Sequence, residues 1–180
     1  ISLHATKPFG VGEGGLVLTT DAELVEYVGW MSNFGFTASR VINVPGTNAK
    51  MSEDTAAVGL AALDQWDTTR QEWLDISRKY IDILDAYSIR HYLDDRWVGS
   101  VCNVRLPYGD VDTVMNMLET AEIGTRKWWL GGCHRHPAYQ QFRQVPLPVT
   151  ERLGDSVMGI PFMRDITEVE MLRVAGVLSS

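Results

Sequence analysis

The sequence predicts an α/β chain in two parts: a stretch dominated by long helices, followed by a small α+β lobe. Three observations predict it. Apolar residues recur at three- and four-residue steps through Leu24, Tyr27, Val28 and Met31, and again from Asp64 to about Tyr87, which is the signature of helices with one apolar face. After Asp94-Asp95 the period changes, and Trp97 to Leu106 alternates with enough β-branching for a strand. Ser/Thr-x-x-Glu spacing, in which a hydroxyl and a carboxylate satisfy each other's free backbone donors, recurs at Thr20-Asp21-Ala22-Glu23 and at Thr167-Glu168-Val169-Glu170. The boundary falls between residues 93 and 94.

Bulk properties narrow the function classes. The chain has 180 residues, of which 45% are apolar and 22% charged, the mix of a soluble globular protein with a sizeable core. A formal net charge of -7 disfavours binding to nucleic acid or to an anionic membrane surface. Two cysteines, Cys102 and Cys133, are too few for a disulfide framework, and no signal peptide or unbroken apolar run of membrane-spanning length is present, so a reducing cytoplasm is expected. The chain opens at Ile1, without a methionine, in what reads as a strand-to-loop connection, and so looks like part of something longer.

In chain order, Gly12 to Gly15 predicts a tight turn and Gly15-Leu16-Val17-Leu18-Thr19 a short buried strand. A helix capped by Thr20 runs to about Ser32 and is ended by Asn33-Phe34-Gly35-Phe36. Residues 37–50 have loop composition, with Pro45-Gly46 as a turn signal. Ser52 is the expected N-cap of a helix whose small residues, Thr55 to Leu63, suit burial in a core or an interface; from Asp64 to Tyr87 there follows one long helix or two in tandem. In the second part, Asp110 is expected to cap a helix carrying Val114, Met117 and Leu118, and Thr125 to Leu130 to form a strand. Pro148 opens a short helix through Leu153, Ser156 to Ile160 is a strand, and Thr167 opens the last helix.

One lysine stands apart. Ser2-Leu3-His4-Ala5-Thr6-Lys7, followed by the glycine-dense Gly12-Glu13-Gly14-Gly15, resembles the cofactor-lysine segment of the DegT/StrS family of sugar aminotransferases. The likeness continues through Asn33-Phe34-Gly35, Asn48-Ala49-Lys50-Met51-Ser52-Glu53, Pro137-Ala138-Tyr139 and Pro148-Val149-Thr150-Glu151, and so covers essentially the whole chain. The resemblance implies fold type I and pyridoxal 5′-phosphate as cofactor. It also implies that only the C-terminal half is present: the end of the large domain with its long connecting helix over residues 1–93, then the small domain over 94–180. In the family, the carboxylate that pairs with the pyridine nitrogen and the ring stacked on the cofactor lie upstream.

The resemblance assigns roles by position. Lys7 matches the Schiff-base lysine, Ser2 a hydroxyl on the cofactor phosphate, and Asn33 a residue that reaches the phosphate in the neighbouring subunit, which implies a homodimer with shared sites. His4, Lys50, His134, His136 and Tyr139 fall where substrate contacts are expected. The implied activity moves an amino group from an amino-acid donor, glutamate in expectation, to a nucleotide-linked keto sugar. Two rivals remain beside it: a catalytically silent fragment that folds or dimerises, and the sugar dehydratase branch, in which histidine replaces the lysine that this chain has at position 7. No metal is expected, because Cys133-His134-Arg135-His136 lacks a second ligand pair at usable spacing.

Overall fold

The computed structural model describes residues 1–39, 41–106, 111–128, 131–143 and 145–180. Backbone contacts divide the chain into two units, Ile1–Thr69 and Arg70–Ser180. The expected cap Asp110, and Trp129 and Leu130 of the expected strand, lie outside the described residues.

The first unit opens with a doubled-back segment. Amide hydrogens of Leu3 and Ala5 donate to the carbonyls of Gly14 and Gly12 at 3.0 and 2.7 Å, and Ser2 bridges Gly15 in antiparallel fashion. Leu3 and Val11 are buried, which anchors the loop between them. The pairing extends to Ile1 and Leu16 and no further, so the expected buried strand does not form: Leu16, Val17 and Leu18 are 45%, 61% and 73% exposed. The run has the side chains of a strand, but beyond Leu16 it joins no ladder among the described residues.

Helix α1 spans Ala22–Ser32. Its cap is Asp21 rather than the expected Thr20: the Asp21 carboxylate accepts from the amides of Glu23 and Leu24, and the Thr19 hydroxyl accepts from the amide of Asp21. A carboxylate at the N-terminus gains from the helix dipole as well as the hydrogen bonds, which settles the competition in favour of Asp21. Helix α2, Glu53–Asp64, is capped by Ser52 as expected, with Glu53 and Asp54 in its first turn. Its alanine-rich face is not buried in a core, however, and Val58, Leu60 and Leu63 are exposed. Gln65 then breaks the helical run, so α2 and α3, Trp66–Ala86, are two helices in tandem.

In the second unit three antiparallel strands, β1 (Arg90–His91), β2 (Cys102–Arg105) and β3 (Val157–Ile160), form a sheet in the order β1-β2-β3. The expected strand from Trp97 to Leu106 is therefore cut to the four residues Cys102–Arg105, and the two-residue β1 is too short for any periodicity to reveal. Helix α4 is Val111–Thr120, α5 is Pro148–Gly154, and α6 is Glu168–Leu178, the last closed by the complete capping box of Thr167 and Glu170. Among the described residues, the expected strand around Arg126 is reduced to one bridge with Gly159.

Alternation on β2 sends Cys102 and Val104 into the core and Asn103 and Arg105 to the opposite face. The buried face meets Tyr80 and Leu84 of α3, Leu118 of α4, and Met171 and Val174 of α6. Helices thus cover one side of a small sheet, the α+β lobe expected of this part of the chain. Of the two cysteines, Cys102 is buried in that core and Cys133 is exposed.

Candidate functional site

Lys7 sits on the loop that Leu3 and Val11 anchor. Its own amide donates to the His4 carbonyl at 2.9 Å, closing a tight turn. Gly10 packs against the other side of that turn: a Cβ there would lie 2.8 and 2.9 Å from the carbonyl oxygens of Ala5 and His4. Backbone atoms cannot yield as a flexible side chain can, so only glycine fits, and the turn bearing Lys7 is held from behind. The Lys7 side chain is exposed, and among the described residues its amine has no salt-bridge partner.

Ser2 and His4 flank the same turn. The Ser2 hydroxyl accepts from the His4 amide at 3.4 Å, a weak contact that leaves its proton free to donate elsewhere. His4 Nδ1 accepts from the Thr6 amide at 3.2 Å and lies 2.9 Å from the Thr6 hydroxyl, while Nε2 faces a Glu13 carboxylate oxygen at 3.5 Å. An accepting Nδ1 places the ring proton on Nε2, towards Glu13.

A second cluster forms where α1 ends. Asn33 caps the helix, and Phe34 and Gly35 follow with φ of 58° and 80°. Gly35 is required twice over, by that φ and because a Cβ would come within 1.9 Å of the Val44 carbonyl. The reversal brings Asn33 into an antiparallel bridge with Asn48. Lys50 closes the cluster, donating from Nζ to Asn33 Oδ1 at 2.9 Å and to Asn48 Oδ1 at 2.7 Å, with the Phe34 ring centroid 4.9 Å away. Two amide oxygens and a π face orient the ammonium without neutralising it. The Asn33 amide oxygen is thus taken by Lys50, and its NH₂ makes no hydrogen bond among the described residues.

In the second unit the expected substrate residues lie on two consecutive 3-10 turns, Cys133–Arg135 and Pro137–Tyr139. His134 Nε2 is 3.4 Å from a Glu151 oxygen, an ion-pair distance whose alignment does not make a hydrogen bond. His136 is half-buried, and Tyr139 is half-exposed with its ring 6.4 Å from that of Phe142. Lys7, Ser2 and His4 therefore share one turn, Asn33 and Lys50 are bonded directly, and His134, His136 and Tyr139 share one loop. Asn48, Glu13 and Glu151, which orient these residues, lie within the matched motifs, but the sequence assigns them no role. Among the described residues no group of three or more His, Cys, Asp or Glu side chains is arranged to hold a metal ion, and no helix is long and apolar enough to cross a membrane.

A family model for the DegT/DnrJ/EryC1/StrS aminotransferases matches residues 1–179. The chain belongs to that family. Among curated relatives, protein Rv3402c of Mycobacterium tuberculosis is 31% identical over 183 residues, covering 96% of this chain and 43% of its own length. Among solved structures, a Bacillus cereus protein classed as a PLP-dependent aminotransferase superposes with a TM-score of 0.91 at 26% identity, over 99% of this chain and 50% of that one. DesI, solved in the presence of its TDP-sugar product, superposes with a TM-score of 0.82 at 32% identity, over 99% and 47%. The chain spans about half the length of the relatives it matches, and its mixed helix-and-sheet fold is that of one part of a PLP-dependent aminotransferase.

Proposed function

We propose that this chain is part of a pyridoxal-phosphate-dependent aminotransferase that moves an amino group from an amino acid, glutamate in our reading, to a nucleotide-linked keto sugar in the cytoplasm. The observation that carries the reading is Lys7: an exposed amine without a salt-bridge partner among the described residues, on a turn fixed from behind by Gly10 and from below by Leu3 and Val11. A lysine that must attack an aldehyde needs a neutral amine in a fixed place, and an amine tied into a salt bridge would be held charged.

The residues present fit the cofactor. Lys7 Nζ would hold it covalently and, once released, carry a proton between donor and cofactor. The Ser2 hydroxyl and the NH₂ of Asn33 would donate to its phosphate, with Lys50 supplying positive charge beside Asn33. When bound, pyridoxal phosphate supplies the electron sink for breaking the bond to the donor's α-hydrogen, and the protein supplies orientation and electrostatics. In this reading Asn33 and Lys50 serve the site of a second subunit, making the active form a homodimer. His4 would face the cofactor, while His134, His136 and Tyr139 would contact the sugar nucleotide. The lysine at position 7 supports the aminotransferase over the dehydratase reading.

Borohydride reduction of the cofactor-loaded full-length protein, followed by peptide mapping, tests the proposal. The reduced cofactor is expected on Lys7. A label on Lys50 or Lys127, or none at all, would remove the basis of the mechanism.

A further inference from the structure

We propose that Arg90 and Arg105 form a binding site for a doubly charged phosphate group, separate from the residues assigned to the cofactor and substrate. The two are Cα partners across the β1-β2 ladder. Directly opposite residues on neighbouring strands project from the same face, so two guanidinium groups stand side by side, an arrangement that destabilises a sheet unless something neutralises it. Nothing in the described chain does. Arg78, Arg96 and Arg164 each have a carboxylate partner, whereas Arg90 and Arg105 have no ion pair or hydrogen bond among the described residues. Arg105 is also half-buried, where an uncompensated charge costs more than it would in water.

These arginines line a cavity of about 500 Å³, within the range of small-molecule sites. Tyr87, Ser88 and Ser179 also line its wall, and Ile89, Leu106 and Leu178 supply apolar surface that strengthens the electrostatics of the rest. The arginines could instead be capping the helices that end here, but three terminal carbonyls at each end already accept hydrogen bonds from their own segment. In α6 the carbonyls of Ala175, Gly176 and Val177 accept from Ser179 N, Ser179 Oγ and Ser180 Oγ. After α3 those of Ile83, Leu84 and Asp85 accept from the amides of Tyr87, Ile89 and Ser88. Arg173, by contrast, does donate to a carbonyl beyond a helix end, that of Ala121.

The geometry selects the ligand class. Each guanidinium presents a fork of donors, and two forks with a joint charge of +2 are matched by a tetrahedral group with three acceptor oxygens and nearly two negative charges. One carboxylate would leave half the charge uncompensated. The ligand is thus inorganic phosphate or a small phosphate monoester, and the two share the recognised chemistry.

The test is a titration of the cofactor-loaded full-length protein with inorganic phosphate and, separately, with glycerol phosphate, read by thermal unfolding at ionic strength held constant with chloride. A saturable rise in melting temperature is expected for the natural sequence. It should weaken about tenfold in Arg105→Gln and disappear in the Arg90→Gln, Arg105→Gln double variant, whose melting temperature without phosphate should equal or exceed that of the natural sequence. Absence of a saturable response beyond chloride, or a response unchanged in the double variant, would overturn the proposal. If the double variant fails to fold, Arg105→Lys keeps the charge and loses the fork: about tenfold weaker binding upholds the site, and unchanged binding overturns it. Tighter binding of the ester identifies an ester as the ligand, and equal binding identifies free phosphate; either upholds the site. Failure here leaves the Lys7 proposal untouched, because the labelling of Lys7 does not involve these arginines.

Discussion

Lys50 donates a hydrogen bond to the Asn33 side chain at 2.9 Å, tying the C-terminal cap of α1 to the segment that enters α2. Because the same ammonium also holds Asn48, its removal frees both amides at once. Lys50→Met is expected to lower stability by up to about 1 kcal/mol, the scale of exposed charge-assisted contacts, in urea unfolding. In the full-length protein it should also weaken pyridoxal phosphate binding several-fold in an absorbance titration, since Asn33 would no longer be fixed. A variant that binds the cofactor normally would separate Asn33 from the phosphate.

Tyr80 is fully buried, and among the described residues its hydroxyl has no hydrogen-bond partner. Burial raises its pKa, with a smaller contribution from Cys102, so the phenol stays protonated. An unsatisfied buried hydroxyl costs about 1–3 kcal/mol, and removing it relieves that cost while keeping the ring against Phe162 at 6.5 Å. Tyr80→Phe should therefore be neutral or stabilising by about 1 kcal/mol, as read from the urea midpoint. A loss of stability would place a water or another partner on the hydroxyl.

Asp94 accepts from the guanidinium of Arg96 at 2.9 and 3.1 Å and from the Arg96 amide at 2.8 Å. The side-chain bonds, then the backbone bond, lower its pKa to about 2. An ordinary Asp titrates at about 3.9, so this pair contributes stability that is complete above that value and lost as pH falls towards 2. Asp94→Asn should flatten the acid limb of the stability profile between about pH 4 and pH 2 and leave its neutral shape unchanged. Urea midpoints at pH 7, 4 and 2.5 would check this.

Gly10→Ala should strain the Lys7 turn from behind, because the new methyl group meets two carbonyl oxygens at under 3.0 Å. The expected cost is about 1–3 kcal/mol, as for overpacking in a core. Borohydride labelling of Lys7 should fall more than labelling of exposed lysines elsewhere treated with free aldehyde. Unchanged stability would mean that the turn is not the rigid platform described above.

Much of this architecture is legible in the sequence where one signal has one reading. Ser52, Thr167 with Glu170, and Pro148 mark helix starts that form as read, because caps act within one turn and need no distant partner. Thr20 misleads because Asp21, one residue on, offers a charged acceptor to the same amides. Strands read less well, since a strand exists only where another chain segment pairs with it. Val17 and Leu18 have the residues without a partner among the described residues, and Arg90-His91 has the partner without a pattern. The site divides the same way. Lys7, Ser2 and Asn33 take their roles from motif position, whereas the pairing of Asn48, Glu13 and Glu151, in the same motifs, with Lys50, His4 and His134 is visible only in the folded backbone.

The contrast between the two cysteines has a practical use. A thiol reagent added to the native protein meets the sulfur of Cys133 at once, while that of Cys102 becomes countable only when the sheet parts from its helices. The ratio of one to two reactive sulfurs makes the chain its own gauge of how much of the second unit is open, without a tag or an engineered residue.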